Sequence, residues 1–356
     1  MSGMSRFYWV ASISTVAAGT LREAQRQYGT PGGMHRRSGL AVARKVYDHS
    51  GMTDPIAVLR DTAKERLAEL HSGVRRVRLA DFPDHGNIGD SAIALGEWRF
   101  WADAGIEVLE VQSQATITRR MLASTEPVVV HGGGNIGGLY PGSDLLRLEV
   151  ASRLPRDTVL IQAPQTVHFT SETERQKFDR GFAMRPHTRI AVRDHRSAAL
   201  LSEVAPGVIT CPDAVHMLGS IEAPPPSSEV VVLRRADGES RGTLRSGSDW
   251  PSDPWDLNAS RWWANRAAAV PPLRRLFHRH PDTWLSKAER RFQRGVRFLS
   301  QGETIVTDRL HAMLIGLQMG RRVIATDNTY GKLSAYAEAW LQPFGDQLEL
   351  RMADRS

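Results

Sequence analysis

The chain reads as an α/β protein with two doubly wound parallel sheets facing each other across a cleft, behind a helical N-terminal segment. Three observations predict this. From Val74 onward, short β-branched runs alternate with longer Ala- and Leu-rich runs, which is the pattern of βαβ units and a parallel sheet. The predicted strand exits carry polar, glycine-rich turns, where ligands bind in open α/β sheets. One proline-rich stretch, Pro224-Pro225-Pro226-Ser227-Ser228, divides the alternation and reads as a linker. The boundaries that follow are 1–73 for the N-terminal helical and loop appendage, 74–222 for the first Rossmann-like domain, 223–228 for the linker and 229–356 for the second domain.

The appendage is punctuated by glycines from Gly29 to Gly33. Its mildly apolar stretch from Phe7 to Ala18 is interrupted by Ser12, Ser14 and Thr15, and it is read as a helix or arm rather than a secretion signal. Val77 to Asp81 is the first predicted strand. It runs through a polar turn, from Pro83 to Asp90, into a helix from Ser91 to about Ala104. Further strands are predicted at Ile106 to Gln112, Pro127 to His131, Thr158 to Gln162, Arg189 to Arg193 and Val208 to Cys211, each short and β-branched. The second domain opens with the strand Val230 to Leu233. Residues 236–260, rich in Gly, Ser, Asp and Trp, read as a long mobile loop. A basic helical region follows at 274–299, then a strand at 304–308, a helix at 311–319 and a strand from Arg322 to Thr326.

The 356 residues suffice for two domains with separate cores. One cysteine, Cys211, excludes an internal disulfide and a multi-cysteine metal site, and fits a reducing cytoplasm. No run reaches the roughly 20 apolar residues of a spanning helix. Net charge is +7, and of 46 basic residues only five are Lys. Such a field favours anionic partners. No nucleic-acid-binding module is present, so a phosphorylated small molecule or a lipid phosphate is the more economical partner.

Several stretches carry chemistry. In Gly86-Asn87-Ile88-Gly89-Asp90-Ser91 the two glycines permit a tight turn and a close approach of backbone to ligand, Asp90 or Ser91 can cap the helix, and Asp90 can take a proton from a sugar hydroxyl. A capped turn with no ligand is the alternative. Gly132-Gly133-Gly134-Asn135-Ile136-Gly137-Gly138 offers a backbone cradle for an anion, with neither the dinucleotide nor the Walker spacing. Pro164-Gln165 reads as a plain turn. Arg193 ends a strand, where its guanidinium either grips an anion bidentately or pairs with Asp194. Cys211 reads as inert core, and Asp213 as a polar cleft residue. The pair Arg234-Arg235 is a phosphate-side candidate, with Arg234 taken as the contact. Between Trp255 and Arg297, tryptophans and arginines can stack on sugars, sit at a headgroup layer or form an ordinary solvated helix.

Arg309 and His311 stand at the turn from the strand Thr304 to Asp308 into the helix that follows. A helix N-terminus beside an Arg suits an anion, and His can move a proton. The helix dipole and Arg309 both disfavour the imidazolium, so His311 is expected to be neutral until an anion binds.

Taken in order, Asn87-Ile88-Gly89-Asp90, His131-Gly132-Gly133-Gly134-Asn135, Ala163-Pro164-Gln165, Val192 to Ser197, Cys211-Pro212-Asp213 and Thr307 to Ala312 resemble the polysaccharide pyruvyl transferase family. The resemblance covers roughly residues 77–330. It implies a two-domain fold like that of the GT-B glycosyltransferases, with phosphoenolpyruvate as co-substrate and no other cofactor or metal. It also implies a pyruvate ketal on a sugar of a polysaccharide, glycolipid or lipid-linked precursor. On this reading His311 and Asp90 are catalytic. Arg309, Leu310, Arg193, Arg234, Gly132, Gly133, Gly134 and Asn135 hold the donor, and Asn87, Asp213 and Gln165 hold the acceptor. The protein would work in the cytoplasm, with peripheral membrane contact through the basic 274–297 region and no nucleic-acid partner. The rival readings are a GT-B glycosyltransferase using a nucleotide sugar and a non-catalytic glycan- or lipid-binding relative.

Overall fold

A computed structural model of the chain describes residues 54–351 except 206, 237–243, 245–246, 269, 271–272, 274–280 and 328–329. The N-terminal appendage therefore lies outside the described residues as far as Thr53. Its remainder is no appendage. Helix α1 (Pro55–Leu70) starts where Asp54 accepts a hydrogen bond from the Ile56 N–H, with proline in its first position. It buries Leu59, Ala63, Leu67 and Leu70, a single stripe at helical spacing. That stripe joins both main hydrophobic clusters.

The first sheet alternates with helices as expected. In chain order its elements are β1 (Arg76–Ala80), α2 (Ile88–Asp103), β2 (Glu107–Val111), α3 (Arg119–Leu122), β3 (Val128–Val130), β4 (Gly133–Ile136), α4 (Pro141–Arg153), β5 (Leu160–Val167), α5 (Glu172–Phe178), β6 (Thr188–Val192), α6 (His195–Leu201) and β7 (Ile209–Thr210). The strands run parallel in the order β2-β1-β3-β5-β6-β7, with β4 paired to the end of β5. Leu79, Val129 and Ile161 lie in one rung, and all three are fully buried. Strands covered on both faces read as continuous apolar runs, which is why β3 is Val-Val-Val.

The second sheet follows the exposed Pro224 to Ser227 stretch. Its elements are β8 (Ser228–Leu233), α7 (Trp255–Ala268), α8 (Pro281–Leu299), β9 (Gly302–Thr307), α9 (Leu310–Gln318), β10 (Arg322–Thr326), α10 (Lys332–Trp340) and β11 (Leu348–Arg351). The order is β11-β10-β9-β8, all parallel. Both sheets belong to one compact body. Helix α2 packs against α8, and its residues Ala92 and Ile93 enter different hydrophobic clusters. At Gly96 a Cβ would sit 1.9 Å from the Ala214 carbonyl oxygen, so only glycine lets α2 lie on the Ala214–Leu218 turn.

Four expectations are corrected. Helix α2 begins at Ile88, because Asn87 rather than Asp90 or Ser91 caps it, accepting from the Gly89 N–H at 3.1 Å. Residues 163–166 are not a turn but the buried middle of β5. Pro164 fits there because the register against β6 slips between Gln162 and Gln165, and a bulge tolerates the missing N–H. The 236–260 segment is not loop throughout: Ser248 is bridged to Leu233, and helix α7 starts at Trp255. In α8, Arg291 is fully buried, and it and Lys287 bond to Asp84, with Asp253 a second partner of Arg291. Those cations hold the turn before α2 and do not face a lipid surface. Arg274, Arg275 and Arg279 lie outside the described residues.

Candidate active site

The carboxyl ends of both sheets converge on a pocket of about 230 Å³. The first sheet contributes His85, Asn87 and Asp90 from the β1–α2 turn, Gly134 from β4, and Tyr140 and Ser143 from the start of α4. The second contributes Arg235 after β8, Trp250, then Arg309, Leu310 and His311 after β9, and Lys332 after β10. Apart from Trp250, these side chains arrive where strands end, the location expected for ligands in such sheets.

Sheet register explains the cationic wall. Leu233 lies opposite Thr307 in the β8–β9 pair, so Arg235 and Arg309 leave neighbouring strands side by side. Asp308 ties the two exits together, accepting from the Arg235 N–H at 2.7 Å. The Thr307 hydroxyl accepts from the Arg309 N–H at 3.0 Å. The Arg309 guanidinium forms a two-point pair with Asp249, Nε to Oδ1 at 2.7 Å and Nη2 to Oδ2 at 2.5 Å. Lys332 opens α10, whose first N–H groups at Leu333 and Ser334 donate to Asp327.

His311 is the second residue of α9. Its Nε2 lies 3.3 Å from Oδ2 of Asp213, which also accepts from Arg193 Nη1 at 2.6 Å. Asp213 Oδ1 accepts from the Val215 N–H. Burial pushes the Asp213 carboxyl up, but the hydrogen bond and charge of His311, with the Arg193 guanidinium, outweigh it and hold the group far below the usual carboxylate range. The dipole reading of His311 left out this carboxylate, and it left out Asp249, which engages the charge of Arg309.

The ring of His311 lies directly on the first turn of α2. A Cβ on Gly89 would fall 2.4 Å from His311 Nδ1 and 2.7 Å from Cγ. Gly89→Ala should therefore displace the ring and lower turnover by about 10²-fold, as small misplacements of reacting groups do. The added Cβ would also fall 2.8 Å from the His311 Cβ, so thermal stability should fall as well, by about 1–3 kcal/mol for overpacking less the gain in helix propensity. Steady-state kinetics beside a melting curve checks this; unchanged turnover would mean that the ring position is immaterial.

Opposite His311, Asp90 accepts from Asn87 Nδ2 at 2.7 Å and lies 3.5 Å from His85 Nε2. Burial raises its carboxyl, but the charges of His85, His311, His131 and Lys332 bring it below its ordinary value. It is thereby held as a carboxylate.

The other expected residues are placed differently. Arg193 is fully buried, bonded to Asp213 and Thr166, and does not line the pocket. Asp213 is likewise a support for His311 and not a pocket wall. Gln165 is buried and donates to the His131 carbonyl. Of the glycine run, only Gly134 lines the pocket. The Gly132 N–H donates to Glu97, and Gly133, at φ 82°, lies where a Cβ would strike Ile93. The Asn135 backbone pairs with Thr166 in β4, while its side chain lies outside the described part. Leu310 reaches the pocket but is mainly core. Arg234 donates to the Leu244 carbonyl, and its neighbour Arg235 takes the pocket position. Sequence reasoning also missed Lys332, although the strand-exit rule that selected Arg309 applies equally after Thr326. Asp249 and Trp250 carry no local signal.

Comparisons with known proteins identify the family. The family model described as polysaccharide pyruvyl transferase matches residues 87–330. Pyruvyl transferase 1 of Schizosaccharomyces pombe is 30% identical over 295 residues, covering 76% of this chain and 71% of its own. EpsO of Bacillus subtilis, provisionally named a pyruvyl transferase, is 27% identical over 280 residues, covering 74% and 84%. The crystal structure of a functionally uncharacterised Klebsiella pneumoniae protein superposes with a TM-score of 0.56 at 17% identity, covering 85% of this chain and 100% of that one; this is a likeness of fold alone. Because the family match takes in the Asn87 turn, the glycine run and the Arg309–His311 turn that build the pocket, the chain belongs to the polysaccharide pyruvyl transferase family and is a transferase.

Proposed function

We propose that the protein transfers the pyruvyl group of phosphoenolpyruvate to a sugar acceptor, polymeric or lipid-linked, forming a ketal across two hydroxyls and releasing phosphate. The observation that carries this reading is the combination of groups in one pocket. Arg235, Arg309 and Lys332 line it, and a donor with a carboxylate and a phosphate needs charge-assisted hydrogen bonds of the kind they supply. Asp90 and His311 line it too, one able to accept a proton and the other to give one.

In the reaction, His311 protonates C3 of the enol, and C2 becomes oxocarbenium-like. An acceptor hydroxyl attacks C2 and passes its proton to Asp90. The C2–O bond to phosphate breaks with its electron pair leaving on the phosphate. A second hydroxyl of the same sugar then closes the ketal at C2 and returns its proton to His311, while Asp90 passes its proton to the departing phosphate. Asp213 and Arg193 keep His311 in place but touch neither substrate.

Incubation with phosphoenolpyruvate and a panel of sugar acceptors should release inorganic phosphate and add one pyruvyl group by mass. Release of nucleoside diphosphate from nucleotide sugars instead would overturn the reading. Replacing Arg235 or Lys332 with methionine should raise the donor KM about 10- to 100-fold, the range for a lost hydrogen bond to a charged group. A fall in kcat with an unchanged donor KM would move these cations away from donor binding.

A further inference from the structure

Exposed aromatic side chains gather on α7. Trp255 is 82% exposed, Trp263 61% and Trp262 48%. Val270 and Leu273, just beyond the helix, are exposed as well. The opposite side of α7 is docked, with Leu257, Ala264 and Ala267 buried. The helix is therefore anchored by one face and holds three indoles in water, and a patch of this kind marks a partner surface.

Charge selects the partner. Around the three indoles α7 carries Arg261 and Arg266, and its one carboxylate, Asp256, is paired with Arg290. Indoles interleaved with arginine, with the single carboxylate held in an ion pair, suit the interface of an anionic bilayer. A sugar platform fits less well, because the Arg266 guanidinium lies 4.4 Å above the Trp262 ring and covers a face on which a sugar would stack. The Trp262 and Trp263 rings meet edge-to-face at 4.7 Å, so the pair does not form one flat surface.

The position of α7 gives the surface a purpose. The helix follows closely on Trp250, which lines the pocket. The link between them is clamped: Asp253 accepts from Arg291 and Arg294, and its carbonyl accepts from Asn258 of α7. A surface that seats α7 therefore lies beside the pocket wall. We propose that α7 docks the protein on an anionic membrane surface through Trp255, Trp262 and Trp263 with Arg261 and Arg266, which brings the pocket to acceptors carried at that surface. The docking goes beyond the pyruvyl-transfer reading and does not depend on the donor.

The test uses the full chain and vesicles of equal parts phosphatidylcholine and phosphatidylglycerol, with pure phosphatidylcholine vesicles for comparison. Co-sedimentation and a blue shift of tryptophan emission should appear with the anionic vesicles only, and should weaken as salt rises. The triple variant Trp255→Ala, Trp262→Ala, Trp263→Ala should lose vesicle affinity by about tenfold or more, with unchanged circular dichroism and melting temperature. Two results would overturn the proposal: no sedimentation with anionic vesicles at low salt, or undiminished sedimentation of the folded triple variant. Indole quenching by a soluble polysaccharide, lost in the triple variant and without vesicle binding, would assign the face to glycan and also overturn it. Pyruvyl transfer is not part of the readout, so a failure here leaves the donor reading standing.

Discussion

Replacing His311 with alanine should lower turnover by about 10² to 10⁴-fold, the usual contribution of a general acid, and leave the fold intact. The fold survives because Asp213 keeps its other partners, Arg193 Nη1 at 2.6 Å and the Val215 N–H at 3.0 Å. The buried carboxylate is thus not orphaned, which is the usual source of a large stability loss when a buried pair is broken. His311→Gln separates two roles. Glutamine can still meet Asp213 but cannot deliver a proton at neutral pH. If His311 acts as the acid, both variants lose turnover alike while the donor KM changes little. If it only shapes the pocket, glutamine restores most of the rate. Near-normal turnover in a folded alanine variant would remove His311 from the mechanism.

The parts of this site that are readable in the sequence are those fixed by local rules. Thr304 to Leu317 switches from a β-branched run to a helical one, and that switch alone places Arg309 and His311 at a strand exit. Asn87 and Asp90 are legible for the same reason. What local rules do not give is depth and parity. Arg193 and Asp213 do stand at the carboxyl edge of the sheet, but three-dimensional packing buries them one layer below the pocket. Arg234 and Arg235 are adjacent, and successive residues leaving a strand point to opposite sides; the register of β8 on β9 decides between them. Asp249 meets Arg309 across sixty residues, which no periodicity reports. Pro164 suggests a turn, but a bulge in β5, defined only by its pairing with β6, accommodates it within the strand.

Acid should weaken the fold between pH 6.5 and pH 4 through two buried histidines. Burial lowers the pKa of His71 to about 4, with the charge of Arg189 adding to it against a hydrogen bond to Leu67. Burial and the charge of His311 likewise bring His216 to about 4, against the pull of Asp213. The geometry agrees. His71 Nδ1 donates to the Leu67 carbonyl and Nε2 accepts from the Trp101 indole, so a second ring proton would point at another donor. The Tyr336 hydroxyl accepts from the Asp213 N–H, which leaves its proton for His216 Nε2 at 2.8 Å. Across this window the unfolded chain takes up two protons that the folded chain refuses, so stability falls as pH falls. A depression from 6.5 to about 4 amounts to about 3 kcal/mol for each group at the acid end, a large share of the roughly 5–15 kcal/mol that holds a folded protein together.

His131 has the opposite sign. Despite burial, Glu97 raises its pKa, so its contribution is complete below pH 6.5 and is lost only above it. Asp81, Asp179 and Asp308 are raised by burial and gain stability as pH falls, so the informative quantity is a difference between proteins. Guanidinium denaturation of the wild type and of His71→Asn and His216→Gln, at pH 7 and pH 4, should show a smaller acid loss in each variant by about 3 kcal/mol. Identical losses in all three would mean that neither histidine is neutral in the fold. The His216 result also bears on catalysis, because His216, Tyr336, Asp213 and His311 form one hydrogen-bonded chain. Protonating its buried end turns the Tyr336 hydroxyl away from His216 and loosens the Asp213 that positions His311. Turnover of the wild type should then fail at a higher pH than the fold does, and His216→Gln should close that gap.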